Sequence, residues 1–406
     1  MEPQKRRRRN SPVPESSIGC KLPVDLVLEI VARTDTSTLI SCAASCKFLR
    51  RDILSLSFIR RVTQRDGIVP PRILAYLYTD EDVDAPRPLS LVHPITLAAV
   101  SFSHGHLSPF MSYHTTDVLG EYEPVISRGG LIILRRRNIR LEHRSDYLCV
   151  YDSMTGDRTF FSDPPAISKD QDLRTYVLLT AADGIGCSFK LLAVEVDSYK
   201  DDTGCNIKVQ TATSSDVSDT SWGPLICDGD IDLPLGSLQE QRDPVVLHGN
   251  VIHWLVWDDE EILTYNIHNQ KLGVVKLPRI NYQERQRHLG RSPDGRLQLL
   301  VTDGFLISVW LQQCGGSWVL EAVIDAEEKL RTLDPYIPPG PVVIEFECSG
   351  EMCQVVLLKI WFNDLHHGPL IVFDLEMNEM RRQAPHPCLL FEVDLTARLL
   401  AMKTFS

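Results

Sequence analysis

No run of some 18 apolar residues occurs in this chain of 406, so a membrane-spanning helix is not expected. An apolar leader is missing too: the first residues are polar and basic, and no secretory signal is expected from them. Eleven cysteines are present, but their number is odd and their spacing unpaired. That favours reduced intracellular thiols over a disulfide framework. Apolar content of 43% and charged content of 24% are ordinary for a soluble globular protein, and the length suits two or three domains.

Positive charge is scarce beyond the N-terminal part. Residues 1–65 hold 13 Lys/Arg and 6 Asp/Glu, a balance of +7, which leaves 29 and 48, or −19, for the remainder of a chain whose net charge is −12. Phosphate binding needs the opposite sign, so no broad nucleic-acid surface is expected, and no membrane partner. A protein-binding surface fits better. Within residues 1–18, which read as a disordered basic tail, Lys5, Arg6, Arg7, Arg8 and Arg9 precede Pro12 and Pro14. They are a nuclear-import candidate, with a plain solvated tail as the alternative.

Catalytic patterns are also lacking. Asp80, Asp82 and Asp84 have the early spacing of a calcium loop, but Ala85 stands where glycine is required and Leu91 where a bidentate Glu belongs. Asp228, Asp230 and Asp232 fail likewise at Leu233 and Gln239. Cys42 with Cys46, and Cys348 with Cys353, lack a second ligand pair at zinc spacing. His104, His106, His366 and His367 stand apart from other ligands, and Gly184 with Gly186 lacks the rest of a phosphate loop. No Gly-x-Ser-x-Gly elbow occurs. Neither a catalytic role nor a cofactor or metal is expected.

What is there begins at residue 22. Pro23 suits a first helical turn, and Leu22, Leu26, Val27, Ile30 and Val31 recur at helical spacing. Asp35, Thr36 and Ser37 offer caps for a second helix with Leu39, Cys42, Ala43 and Cys46 inward. A third short helix carries Leu49, Ile53 and Leu54, with Phe58 just beyond. Three short helices bury too little to stand alone, so this module must lean on something. The order Leu-Pro, Leu-Val-x-x-Ile, Leu, Ala-x-x-Cys-Lys, Leu-Arg, Phe resembles an F-box, with Ser45 where that family often has Val and Leu49 where it often has Trp. The resemblance implies docking on the linker subunit of an SCF-type ubiquitin ligase, and through it on a cullin. The residues that would carry this contact are Leu22, Pro23, Leu26, Val27, Ile30, Leu39, Cys42, Cys46, Leu49 and Phe58. Some of them must form the module's own core, and sequence does not divide the two sets.

Beyond an acidic, Pro-rich stretch at 79–90 the pattern changes to short apolar runs between turn signals, the mark of an all-β domain. Three segments repeat one motif of strand, Asp or Asn, polar turn and second strand: Leu148–Asp152, Ile262–Asn266 and Leu370–Asp374, each with its successor. The Asp or Asn side chain can close such a turn on the backbone two residues ahead. A hairpin is legible at Val245–Trp254, and further strands at Phe189–Val196, Arg296–Val301, Leu306–Trp310 and Trp318–Ile324. Residues 198–221, rich in Ser, Thr and Asp, read as a loop. The copies lie 114 and 108 residues apart, more than two propeller blades at roughly 40–50 residues each. About 315 residues then make six to seven blades of a β-propeller. Phe391–Leu395 and Arg398–Met402 offer apolar terminal strands, and such a strand in a closed propeller is expected to pair with the first blade and remove an edge. The blocks Gly295–Gly304 with Trp310, and His248–Asn250 with His253–Trp254, resemble the associated β domain of grass-type plant F-box proteins.

The expected architecture is therefore α+β and multidomain: tail 1–18, a three-helix F-box at 19–65, a linker at 66–90, and a β-propeller-like domain at 91–406. The expected function is a non-catalytic substrate receptor of an SCF-type ligase in nucleus or cytoplasm, its β domain holding an unidentified target protein. The alternative is an interaction scaffold whose F-box has diverged from ligase use. Polar loops at 79–90, 103–116, 198–221 and 331–341 are candidate target contacts.

Overall fold

A computed structural model describes residues 22–34, 36–63, 72–78, 90–92, 122–136, 147–152, 156–167, 174–185, 188–198, 205–214, 222–231, 244–247, 250–255, 261–280, 286–340, 342–351, 354–361, 367–383 and 388–394. The basic run Lys5–Arg9, the triad at 80–84, His104, His106 and the loop 103–116 lie outside these residues, as do Cys353 and most of 79–90.

Four helices open the described chain: α1 Val24–Val31, α2 Thr36–Ser45, α3 Lys47–Ile53 and α4 Leu56–Thr63. The sequence implied three. The difference is Ser55, whose hydroxyl accepts the Phe58 N–H at 3.3 Å and donates to Asp52 O at 2.7 Å. This Ser caps a fresh helix and takes Phe58 into it. Val31, Leu39, Ala43, Ile53, Phe58 and Val62 are buried, and they form one cluster with Tyr122, Ile132, Leu134, Cys149, Tyr151 and Phe391 of the β domain. The helices thus lean on the propeller rather than standing alone.

Among the described residues the β domain is a propeller with five four-stranded antiparallel blades. Its strands are β3 Tyr122–Arg128, β4 Leu131–Arg136, β5 Leu148–Asp152 and β6 Arg158–Phe161 in the first blade. The second holds β7 Arg174–Thr180, β8 Phe189–Ser198, β9 Cys205–Thr213 and β10 Ile226–Ile231. The third holds β11 Val245–Leu247, β12 Val251–Leu255, β13 Glu261–Asn266 and β14 Lys271–Lys276. The fourth holds β15 Arg287–Arg291, β16 Leu297–Asp303, β17 Leu306–Gln312 and β18 Trp318–Asp325. A helix, α5 Glu327–Leu333, leads to the fifth, β19 Val343–Ser349, β20 Val355–Trp361, β21 His367–Asp374 and β22 Glu379–Gln383.

Five blades are fewer than the six to seven expected; among the described residues a sixth sheet of only three strands brings the first described strands against the last. The C-terminal β23 Cys388–Asp394 pairs antiparallel with β1 Arg72–Tyr78, which in turn pairs with β2 Ser90–Val92. β1 falls inside the stretch 66–90 expected as a linker; pairing such as Tyr76 with Leu390 is a contact that no local pattern announces. β23 lies beside β3 on one side and β19 on the other, so the ring is closed by strands from both ends.

The repeated motif is in each case the third and fourth strands of a blade: β5–β6, β13–β14 and β21–β22. Asn266 Oδ1 accepts the N–H groups of His268 at 2.9 Å and Asn269 at 3.3 Å, and Asp374 Oδ1 those of Glu376 and Met377 at 3.1 and 3.0 Å. Residues 198–221, expected as a loop, contain the whole of β9, with Ile207 and Val209 buried on the alternating face and the polar residues between them. In the β13–β14 hairpin Gly273 sits opposite Thr264, and a Cβ there would meet Thr264 Oγ1 at 2.8 Å.

Candidate protein-docking face

The helices present two apolar faces, and only one is spent on packing. On α1, Val27 and Val31 turn inward, while Leu26 and Ile30, also one helical turn apart, remain 51% and 54% exposed. Leu22 at 52% continues this stripe, joined by Pro23 and Val24. Phe48 on α3 is 51% exposed, with the Arg51 guanidinium 5.4 Å above its ring. These large apolar residues stay in water on elements that already own a core, which makes the face a candidate docking surface.

The structure divides the ten residues that the F-box resemblance singles out. Leu22, Pro23, Leu26, Ile30 and Cys46 are exposed; Val27, Cys42 and Leu49 are half-buried. Leu39 and Phe58 are buried in the shared core and act by packing. Sequence reasoning passed over Phe48, because the spacing of Leu49, Ile53 and Leu54 accounts for the apolar side of α3 and leaves this exposed aromatic outside the pattern. Ser45 is exposed and its hydroxyl donates to Cys42 O at 3.0 Å.

Several bonds hold this face in shape. Arg50 Nε donates to Ala43 O at 2.8 Å, tying α3 to α2. Arg61 of α4 pairs with Glu29 of α1 at 3.1 Å, and Glu29 also takes Arg33 at 2.8 Å. Cys46 precedes α3 with extended backbone, and the N–H groups of Leu49 and Phe48 lower its thiol pKa.

A second polar feature lies where the inner strands of the propeller end. Arg128, at the end of β3, donates from Nη1 and Nη2 to Asp183 at 2.5 and 3.0 Å and from Nε to Glu351 at 2.7 Å; Nη1 also reaches Leu178 O at 3.1 Å. Burial alone would lower the Arg128 pKa, but the Glu351 and Asp183 carboxylates outweigh it and raise it. Glu351 N–H donates in turn to the Glu392 carboxylate of β23 at 2.9 Å. One guanidinium therefore ties blades one, two and five together beside the closing sheet. Nearby, His288 Nε2 lies 2.9 Å from Ser349 Oγ, and burial depresses His288 to about 4, so the imidazole is neutral.

Tyr176 and Tyr151 are both pushed up to about 12 by burial, and Cys149 likewise. Among the described residues no group of three or more His, Cys, Asp or Glu side chains could hold a metal. No helix among them is long and apolar enough to cross a membrane.

A family model described as a domain of unknown function, DUF7595, matches residues 95–360. No curated protein matches the chain. Among solved structures, an oligogalacturonate lyase in complex with manganese is similar at 10% identity and a TM-score of 0.36, over 65% of this chain and 64% of that one. A periplasmic gluconolactonase of Pseudomonas aeruginosa is similar at 12% identity and a TM-score of 0.35, over 77% and 83%. Prolyl oligopeptidase B of Galerina marginata is similar at 12% and 0.31, over 76% of this chain and 47% of that one. The chain thus spans about two thirds of the lyase and about half of the oligopeptidase.

Proposed function

We propose that this chain, which belongs to the DUF7595 family, is a non-catalytic substrate receptor of an SCF-type ubiquitin ligase. The observation that carries the reading is the unspent apolar stripe Leu22, Leu26 and Ile30 with Phe48, on helices whose other face is already buried against the propeller. The F-box order of residues supplies the partner: the ligase linker subunit docks on that stripe and brings the cullin. The propeller then holds a target protein near the conjugating enzyme, acting through proximity. Lys5–Arg9 would direct the chain to the nucleus, with cytoplasmic residence otherwise.

The test is co-purification of the full chain with the linker subunit, beside Leu26→Asp/Ile30→Asp. Both positions are exposed, so the variant keeps the propeller's circular-dichroism melt. Loss of the linker with an unchanged melt is expected. Equal recovery of the linker by both proteins refutes this use of the face.

Ser45 favours a second reading, since a solvent-facing hydroxyl stands where the family often carries an apolar residue. In that reading the face binds another protein and the chain is a scaffold outside the ligase. Autoubiquitination of the chain in a reconstituted ligase counts against it.

A further inference from the structure

Outer strands of a propeller present an edge, and several here are short or charged. β22 carries Glu379, Arg381 and Arg382, β14 is bounded by Lys271 and Lys276, and β6 is four residues long. Short or charged edges resist pairing with other chains. β18 is eight residues long against four to six in the other outer strands, and it ends its sheet. It is mostly apolar, Trp-Val-Leu-Glu-Ala-Val-Ile-Asp, with charge at Glu321 and Asp325.

Its side chains are arranged by a bulge. The register with β17 steps from Val309–Ala322 to Trp310–Leu320, leaving Glu321 as the extra residue. Leu320 therefore joins Val323 on the face that β17 shares through Leu306, Ser308, Trp310 and Gln312, while Ile307, Val309 and Leu311 are buried on the other. Leu306, Leu320 and Val323 are 43%, 43% and 54% exposed. The strand is held at both ends: Trp318 Nε1 donates to Lys276 O of the third blade at 2.8 Å, and Ala326 N to Phe305 O at 3.0 Å. The apolar stripe is thus a fixed surface beside an open backbone edge.

We propose that Trp318–Asp325 is a docking edge that takes an extended segment of a partner protein as a fifth strand of its blade, the segment alternating apolar residues with Lys or Arg. The backbone edge supplies the ladder bonds, and Leu320 and Val323 receive the apolar side chains. Charge selects the occupant. Glu321, Asp325 and Glu328 are exposed, and no Lys or Arg among the described residues pairs with them. A second copy is disfavoured, because antiparallel self-pairing would bring the two Glu321 side chains together across the strand centre. The site is separate from the helical stripe and does not depend on the ligase reading.

The probe is a synthetic ten-residue peptide of alternating Val and Lys, with a Val–Glu peptide as its charge control. Fluorescence anisotropy on the full chain should saturate with the first and not with the second. Amide exchange by mass spectrometry should slow across residues 318–325. Leu320→Lys/Val323→Lys, at exposed positions, should weaken the Val–Lys peptide at least tenfold with an unchanged melt, whereas Leu26→Asp/Ile30→Asp should bind it as the native chain does. Exchange that slows elsewhere or nowhere, or equal affinity in the edge variant, overturns the proposal. So does concentration-dependent dimerisation abolished by the edge variant, which would assign the edge to a second copy.

Discussion

Replacing Arg128 by Met would test whether one buried guanidinium locks the ring. The side chain is only 6% exposed and holds Asp183, itself 11% exposed, through two bonds and Glu351 through its Nε. Removing it strands two carboxylates on different blades and releases Leu178 O as well. Breaking a buried pair by deleting one partner costs roughly 3–5 kcal/mol, because the charge left behind is uncompensated. Glu351 is 30% exposed, so water screens part of its share, and about 3 kcal/mol is the sounder expectation. At about 2.1 cal/mol/K of unfolding entropy per residue, a propeller of roughly 300 residues loses about 5 °C of Tm. The assay is urea unfolding followed by circular dichroism, paired with the triple change Arg128→Met/Asp183→Asn/Glu351→Gln. Neutral amides carry a far smaller desolvation penalty, so the triple variant should recover more than half of the loss. A single variant that loses under about 1 kcal/mol, or a triple variant no better than the single, refutes the reasoning.

Three further predictions follow from the same chemistry. His288 and His253 are both held near 4 by burial, against an ordinary value of 6.5, so the unfolded chain binds more protons between those values and stability falls as pH drops from about 6.5 to 4. Each contributes at most about 3 kcal/mol, and His288→Gln should flatten that part of a urea-midpoint profile; an unaltered slope refutes its share. Brief iodoacetamide treatment at pH 7.5 should label Cys46 first, and leave Cys149, buried and pushed up to about 12, unlabelled until the fold opens; mass spectrometry reads the order. Ser55→Ala removes the cap of α4 and should cost about 1 kcal/mol, seen as faster amide exchange in residues 56–63 while the blades keep their protection.

The blades were legible where the chemistry is local. Alternating apolar residues announced β17, and Asn266 and Asp374 announced turns that their own side chains close. β9 was hidden because Ile207 and Val209 are its only large apolar residues amid a Ser-, Thr- and Asp-rich stretch, and its hydrogen bonds come from β8 and β10. The same holds for Arg128: nothing in its neighbourhood of sequence points to Glu351, 223 residues away.

Sequence by itself determined the order of elements, helices first and then repeated strand pairs, because 3.6-residue and two-residue periods and turn residues act between near neighbours. It also determined which residues on α1–α4 are apolar. Only the tertiary structure decided which of them meet water. Leu26 and Leu39 are the same residue type on adjacent helices, yet one lies on the open face and the other beneath the module. The bulge at Glu321 likewise turns Leu320 outward only because β17 pairs with β18 in that register. The closing sheet needed a strand from each end of the chain. Burial and edge pairing are properties of surfaces brought together across the fold, and no local pattern carries them.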